Sequence, residues 1–243
     1  METSKTTGEG DFIMQRILVL CDDLWHPAEV IEEGLKGFET ENYCFDVVKA
    51  AKDILTWEMI KGYPAILCCK GNNIIASNGE PWFEETVTEV GPAEFQRYIE
   101  EGGGFVAVHS ALTFKQEFCN PDERFQKPCE EFRELIGCRF YGHPLRCMTE
   151  VKVSDPAHPV AAGVSGFAER DEHYQIGELE PDAKVFLESV SVPGGVQPAG
   201  YTRELGAGRL CVLTPGHTLS VWRNPEFWKL LKNALEWSMR KEN

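Results

Sequence analysis

The chain has 243 residues, 42% of them hydrophobic, enough to bury one sizeable core, and a single α/β domain is the simplest reading. Its 24 Lys and Arg against 39 Asp and Glu leave a formal net charge of -15, which repels polyphosphates and anionic membranes at long range. No run approaches the roughly 20 apolar residues that cross a bilayer, so neither nucleic acid nor a membrane is an expected partner.

Residues 1–12 are polar and read as a disordered tail, with one domain over 13–243. They carry no export signal, so a cytoplasmic protein is expected. Residues 16–21 form an apolar run typical of a buried strand, and Val30, Ile31, Gly34, Leu35 and Phe38 fall on one stripe of a helix over 27–38. A second strand is expected over 45–50, a short Thr-capped helix over 56–61 and a third strand over 65–69. Residues 71–91 are loop-like and long enough for a lid or a dimer arm. Helical periodicity returns over 92–101, and its glycines turn into an apolar run over 104–108 that stops at His109.

Strands alternating with helices predict a doubly wound, mostly parallel sheet. Beyond residue 140 the pattern changes. Segments 149–153, 184–188 and 200–203 are strand-like without intervening long helices, which predicts antiparallel additions, whereas the segment around Arg170–Tyr174 is poor in regular structure. A core strand over 209–213 follows. An amphipathic helix over 224–239, with Asn224 as N-cap and Pro225 at its first position, closes the chain.

Nine cysteines, an odd number set mostly in apolar runs, read as free buried thiols. Cys119, Cys129, Cys138 and Cys147 recur at similar intervals without a C-x-x-C pair, which argues against structural zinc. Trp57, Trp82, Trp222, Trp228 and Trp237 read as core, with an interface as the alternative.

The histidines carry the chemistry. His26, His109 and His217 each follow a predicted strand, and parallel strands deliver their carboxyl ends to the edge where open α/β sheets bind ligands. His143 sits in a Gly-His-Pro turn. In Arg170-Asp-Glu-His-Tyr174 neighbouring acids point apart in extended chain, and Glu172 is favoured over Asp171 as the one facing the site. Two or three imidazoles with one carboxylate suit Zn²⁺, Mn²⁺ or Fe²⁺; a metal-free acid-base site is the alternative. His158, between two prolines, reads as turn architecture, and His173 as facing away from the site.

The motifs Asp22-Asp-x-Trp-His26, Gly102-Gly-Gly-Phe-Val-Ala-Val-His109-Ser110-Ala111, Gly142-His-Pro144, Asp171-Glu-x-Tyr174 and Gly208-Arg-Leu-x-Val-Leu-Thr-Pro-Gly-His217 stand in that order. Together they resemble the ThuA-like (trehalose utilisation) family of the class I glutamine amidotransferase-like superfamily. The resemblance implies a flavodoxin-like three-layer αβα sandwich and a role in carbohydrate metabolism, with activity on keto-sugars or keto-glycosides. His109 stands where the amidotransferase relatives carry a cysteine, so glutaminase chemistry is not expected.

The resulting expectation is an isomerase- or lyase-type enzyme that abstracts a proton beside a sugar carbonyl. His109, Glu172 and His217 are its catalytic candidates; His109, His143, Glu172 and His217 are its metal candidates; Trp25, His26, Ser110 and Tyr174 are its substrate contacts. The substrate is a small carbohydrate and no nucleotide cofactor is expected, while the oligomeric state, monomer or homo-oligomer, is left open. A non-catalytic carbohydrate-binding or interaction protein on a degenerate scaffold is the alternative.

Overall fold

The computed structural model describes residues 14–38, 42–49, 51–71, 88–113 and 130–240. The expected tail, most of the 71–91 loop with Trp82, and Cys119 and Cys129 lie outside them.

The first half follows the predicted βα order: β1 (Gln15–Leu20), α1 (Ala28–Leu35), β2 (Tyr43–Val48), α2 (Ala51–Ile54), α3 (Trp57–Ile60), β3 (Ala65–Cys68), α4 (Pro92–Glu100) and β4 (Gly104–Val108). Thr56 caps α3 by accepting the Met59 N–H. The second strand lies two residues before its expected place, because β2 pairs in parallel with all of β1, from Gln15 opposite Tyr43 to Leu20 opposite Val48. The fourth strand stops at Val108, since His109 has φ +49° and turns the chain into a 3-10 turn over His109–Thr113.

The second half comprises α5 (Glu130–Ile136), β5 (Arg139–Gly142), β6 (Cys147–Val153), β7 (Phe167–Asp171), β8 (Gln175–Gly177), β9 (Lys184–Ser191), β10 (Gly195–Leu205), β11 (Gly208–Leu213), α6 (Leu219–Trp222) and α7 (Pro225–Ser238). The segment read as irregular around Arg170–Tyr174 is in fact the junction of β7 and β8. Alternating charges along Phe167–Asp171 hide a strand at the sheet's outer edge, where one face meets solvent.

The main sheet has nine strands in the order β2-β1-β3-β4-β11-β10-β9-β6-β7. From β2 to β11 neighbours are parallel, and from β11 outward they are antiparallel. The parallel half has the doubly wound order whose direction reverses beside β1, leaving a crevice at the carboxyl ends of β1 and β3. Strands β5 and β8 form a separate antiparallel ribbon.

Alternation along each central strand feeds two cores. Leu18 and Leu20 of β1 join Phe95, Tyr98, Ile99, Phe132 and Leu135 on one face, while Ile17 and Val19 join Ile31, Leu35, Phe227, Leu230 and Leu231 on the other. Helices thus cover both faces, giving the flavodoxin-like αβα sandwich with antiparallel additions. Asn224 caps α7 through the Glu226 N–H, and each fully buried Phe or Leu of that helix contributes about 1.5–3 kcal/mol relative to exposure. Trp222 is fully buried, Trp57, Trp228 and Trp237 are partly buried, and Cys138 is a buried free thiol.

Candidate functional site

Four strand ends converge. After β1, Asp22 takes φ +78° and begins a tight turn in which Asp23 and His26 pair through their main chains. The buried Asp23 carboxylate organises that turn: Oδ1 accepts the N–H groups of Trp25 and His26 and lies 2.7 Å from His26 Nδ1, while Oδ2 accepts the Gly71 N–H beyond β3. Burial pushes the Asp23 carboxyl up, but His26 and these N–H donors outweigh it and hold the group below its usual value.

A carboxylate only accepts, so His26 Nδ1 carries a proton and, in the neutral ring, Nε2 would offer the lone pair. His26 Nε2 is buried and has no hydrogen-bond partner among the described residues. At the end of β4, His109 Nδ1 lies 2.7 Å from the Thr214 carbonyl, so it donates there and Nε2 again holds the lone pair. That nitrogen faces Glu172 Oε2 at 3.3 Å. Burial lowers the His109 pKa despite the pull of Glu172, which favours the neutral ring.

Beyond β11, Pro215-Gly216-His217 brings the third imidazole in. A Cβ at Gly216, where φ is +144°, would stand 2.8 Å from Val108 Cγ1, so only glycine allows this close pass. The loop is anchored by the buried Asp171, whose carboxylate accepts the N–H groups of Gly216, His217 and Thr218 at 2.8, 3.1 and 3.1 Å. His217 Nδ1 lies 3.2 Å from Glu172 Oε2 and is buried without a hydrogen-bond partner among the described residues.

The rings of His26, His109 and His217 stand edge-on to one another with centroids 5.0–5.4 Å apart. One donor atom from each of them and one from Glu172 all lie within 4.8 Å of one another. Burial works against the Glu172 anion, but the neighbouring His109 and His217 imidazoles prevail and hold its pKa far below the usual carboxylate range. With the rings neutral, the carboxylate and lone-pair nitrogens aimed at one point repel unless a proton or a metal cation stands between them. Neutral imidazoles plus one anionic oxygen are the donor set of a first-row divalent ion, so the residues fit a metal. Asp23 and the Thr214 carbonyl orient two of these rings, as partners of metal-bound histidines do.

The expected residues separate on this geometry. His109, Glu172 and His217 come together, and the third imidazole of the group is His26, expected at the rim. His143, at the end of the β5 ribbon, reaches Glu172 Oε2 at 3.4 Å but is not one of the four clustered donors. It is partly exposed, and its Nδ1 lies 2.9 Å from the Pro144 carbonyl.

Tyr174 is buried and stacks on His109 with ring centroids 3.9 Å apart, so it forms a wall of the site. Ser110 is also buried and donates to the Cys69 carbonyl at 2.9 Å. Trp25 is 63% exposed beside His26. His173 faces away, between the hydroxyls of Ser189 and Ser191, and His158 accepts the Val160 N–H in its turn.

Sequence reasoning missed Lys70. Fully buried after β3, it donates to the Lys49 carbonyl and senses the charges of Asp23 and Asp22. The Cys-Cys-Lys-Gly context reads as an ordinary exposed strand end, and its signal is a lysine continuing a fully buried strand.

The family model described as ThuA, trehalose utilisation, matches residues 16–238. Among solved structures, a ThuA-like protein from Bacteroides uniformis ATCC 8492 superposes with a TM-score of 0.70 at 19% identity, covering 99% of this chain and 97% of that one. A cytoplasmic protein from Salmonella typhimurium gives 0.62 at 14% identity, with 92% and 98% covered. A β-galactosidase from Rahnella sp. R3 gives 0.64 at 13% identity; the match covers 95% of this chain but 32% of the galactosidase. At these identities the likeness is one of fold. No curated protein matches the sequence.

Proposed function

Because this chain belongs to the ThuA family, that of trehalose utilisation, we propose that it is an enzyme of carbohydrate metabolism that moves a proton on a keto-sugar or keto-glycoside. The observation that carries this reading is the convergence of three imidazoles on the single oxygen Glu172 Oε2 and its surroundings, with the tautomers of His26 and His109 fixed from behind. Such a group is costly to bury unless it holds something positive.

In this proposal His26, His109, His217 and Glu172 hold a divalent ion of the Zn²⁺, Mn²⁺ or Fe²⁺ type. Bound there, the ion would supply Lewis-acid polarisation of a sugar carbonyl. His143 stands outside the donor group and is partly exposed, so it is the imidazole free to take the proton from the carbon beside that carbonyl. Returning the proton to the neighbouring carbon isomerises the sugar; expelling a substituent from the next carbon eliminates it. Tyr174 keeps His109 in place, and exposed Trp25 offers a ring face to the sugar.

The test is metal analysis of the purified protein followed by incubation with 3-keto-glucosides, with products read by NMR. The expected result is roughly one divalent ion per chain and turnover. Glu172→Ala should lose both, and His143→Ala should keep the metal but lose turnover by about 10²-fold or more. Sugar binding without metal or turnover would overturn the reading in favour of a non-catalytic binder.

A further inference from the structure

At the opposite edge of the sheet, under the amino end of β11, lies a second cleft of about 290 Å³ lined by His158, Lys184, Thr202, Glu204, Arg209 and Trp237 among others. Strand register explains the grouping. Lys184 lies opposite Thr202, and Glu204 opposite Arg209, so these four side chains leave the same face of the sheet. Arg203, between them, points to the other face, where Asp182 and the carbonyls of Glu134 and Leu135 take its guanidinium.

Arg209 is held but incompletely satisfied. Its Nη1 donates to the Trp237 carbonyl at 3.0 Å and its guanidinium lies over the Trp237 ring at 4.9 Å, yet its Nε is buried and has no hydrogen-bond partner among the described residues. The Lys184 side chain is exposed at the same cleft. His158 points one nitrogen to the Thr202 hydroxyl at 2.9 Å and accepts the Val160 N–H with the other, so its ring is already satisfied. The groups left to recognise a ligand are the partly exposed Arg209 guanidinium, the exposed Lys184 ammonium, the Trp237 ring and one carboxylate, Glu204.

We propose that this cleft binds a small organic molecule bearing an oxyanion. An arginine guanidinium is a directional donor to carboxylate or phosphate oxygens, and Lys184 adds charge. The cleft holds the volume of about ten waters, far more than an inorganic anion fills, so the oxyanion is carried on an organic body that packs on Trp237. In a chain with net charge -15 this pair of cations creates the local field that steers such a ligand, and Glu204 opposes it.

The test is calorimetric titration of the intact protein with glucose 6-phosphate, gluconate, inorganic phosphate and glucose. Saturable binding of the two organic anions, with glucose silent, is expected. Arg209→Gln should weaken it about ten-fold or more, as should Lys184→Gln, an exposed change that leaves the fold alone. Glu204→Gln should tighten it, and His109→Ala, at the other edge, should leave it unchanged. Absence of millimolar binding, binding insensitive to Arg209→Gln and Lys184→Gln, or loss of binding in His109→Ala would each overturn the proposal, the last by placing the anion in the histidine site.

Discussion

The Asp171 carboxylate accepts the main-chain N–H of His217 at 3.1 Å, while the next residue, Glu172, meets the ring of that same histidine at 3.2 Å. Two adjacent acids therefore grip one histidine from its backbone and from its side chain. This splits the Asp-Glu pair into an anchor and, in the proposed metal site, a ligand.

Asp171→Asn tests the anchor. The amide offers one acceptor oxygen where three N–H groups now share two, so at least one buried donor is stranded. The loss should be about 2–3 kcal/mol, a fall of roughly 5–10 °C in Tm, with metal affinity reduced about 10- to 100-fold. Thermal unfolding and a metal titration read the two effects. Unchanged metal affinity would show that the loop keeps His217 in place by itself.

His109 occupies a left-handed backbone position at φ +49°. Burial alone would rank His109→Val above His109→Asn, because the His109 side chain is buried. Backbone sterics rank them the other way, since asparagine tolerates this conformation and a β-branched residue does not. Asn should exceed Val by about 1–2 kcal/mol in urea unfolding. The reverse order would mean that the turn relaxes when the ring is removed.

Burial pushes the Lys70 ammonium down to about 8 from its ordinary 10.5, against the pull of Asp23. Below pH 8 both folded and unfolded chains hold the proton, so the penalty is constant. Between pH 8 and 10.5 the unfolded chain holds a proton that the folded chain has released, so this group makes stability rise with pH, by at most about 3 kcal/mol. The buried Cys21 and Cys68 thiols, raised to about 12, act in the opposite sense above pH 9. The comparison is therefore with Lys70→Met: the difference in urea midpoint between pH 8 and pH 10 should be more positive in the wild type. Equal differences would mean that the ammonium is solvated.

The parallel half was legible because each of its central strands is a continuous apolar run, buried on both faces and followed by a helix with a clear stripe. Strands β5, β7 and β8 were not, because they are short, lie at an edge or in a two-stranded ribbon, and mix charged with apolar residues. Convergence of His26, His109 and His217 followed from strand direction alone. The exchange of His26 for His143 within the donor group did not, since it depends on the turn that begins at Asp22 and on the ring-orienting bond to Asp23. Ser110 looked free in sequence because the carbonyl that receives its proton comes from another strand.

The donor group draws one residue from near the start of the chain, one from its middle and two from late segments, each fixed to a different strand end. Any ion bound there ties the chain into several closed loops at once, and it does so only after both halves of the sheet have formed. Fragments ending before Glu172 would have no response to the ion, and the whole protein would resist unfolding in proportion to the logarithm of its concentration.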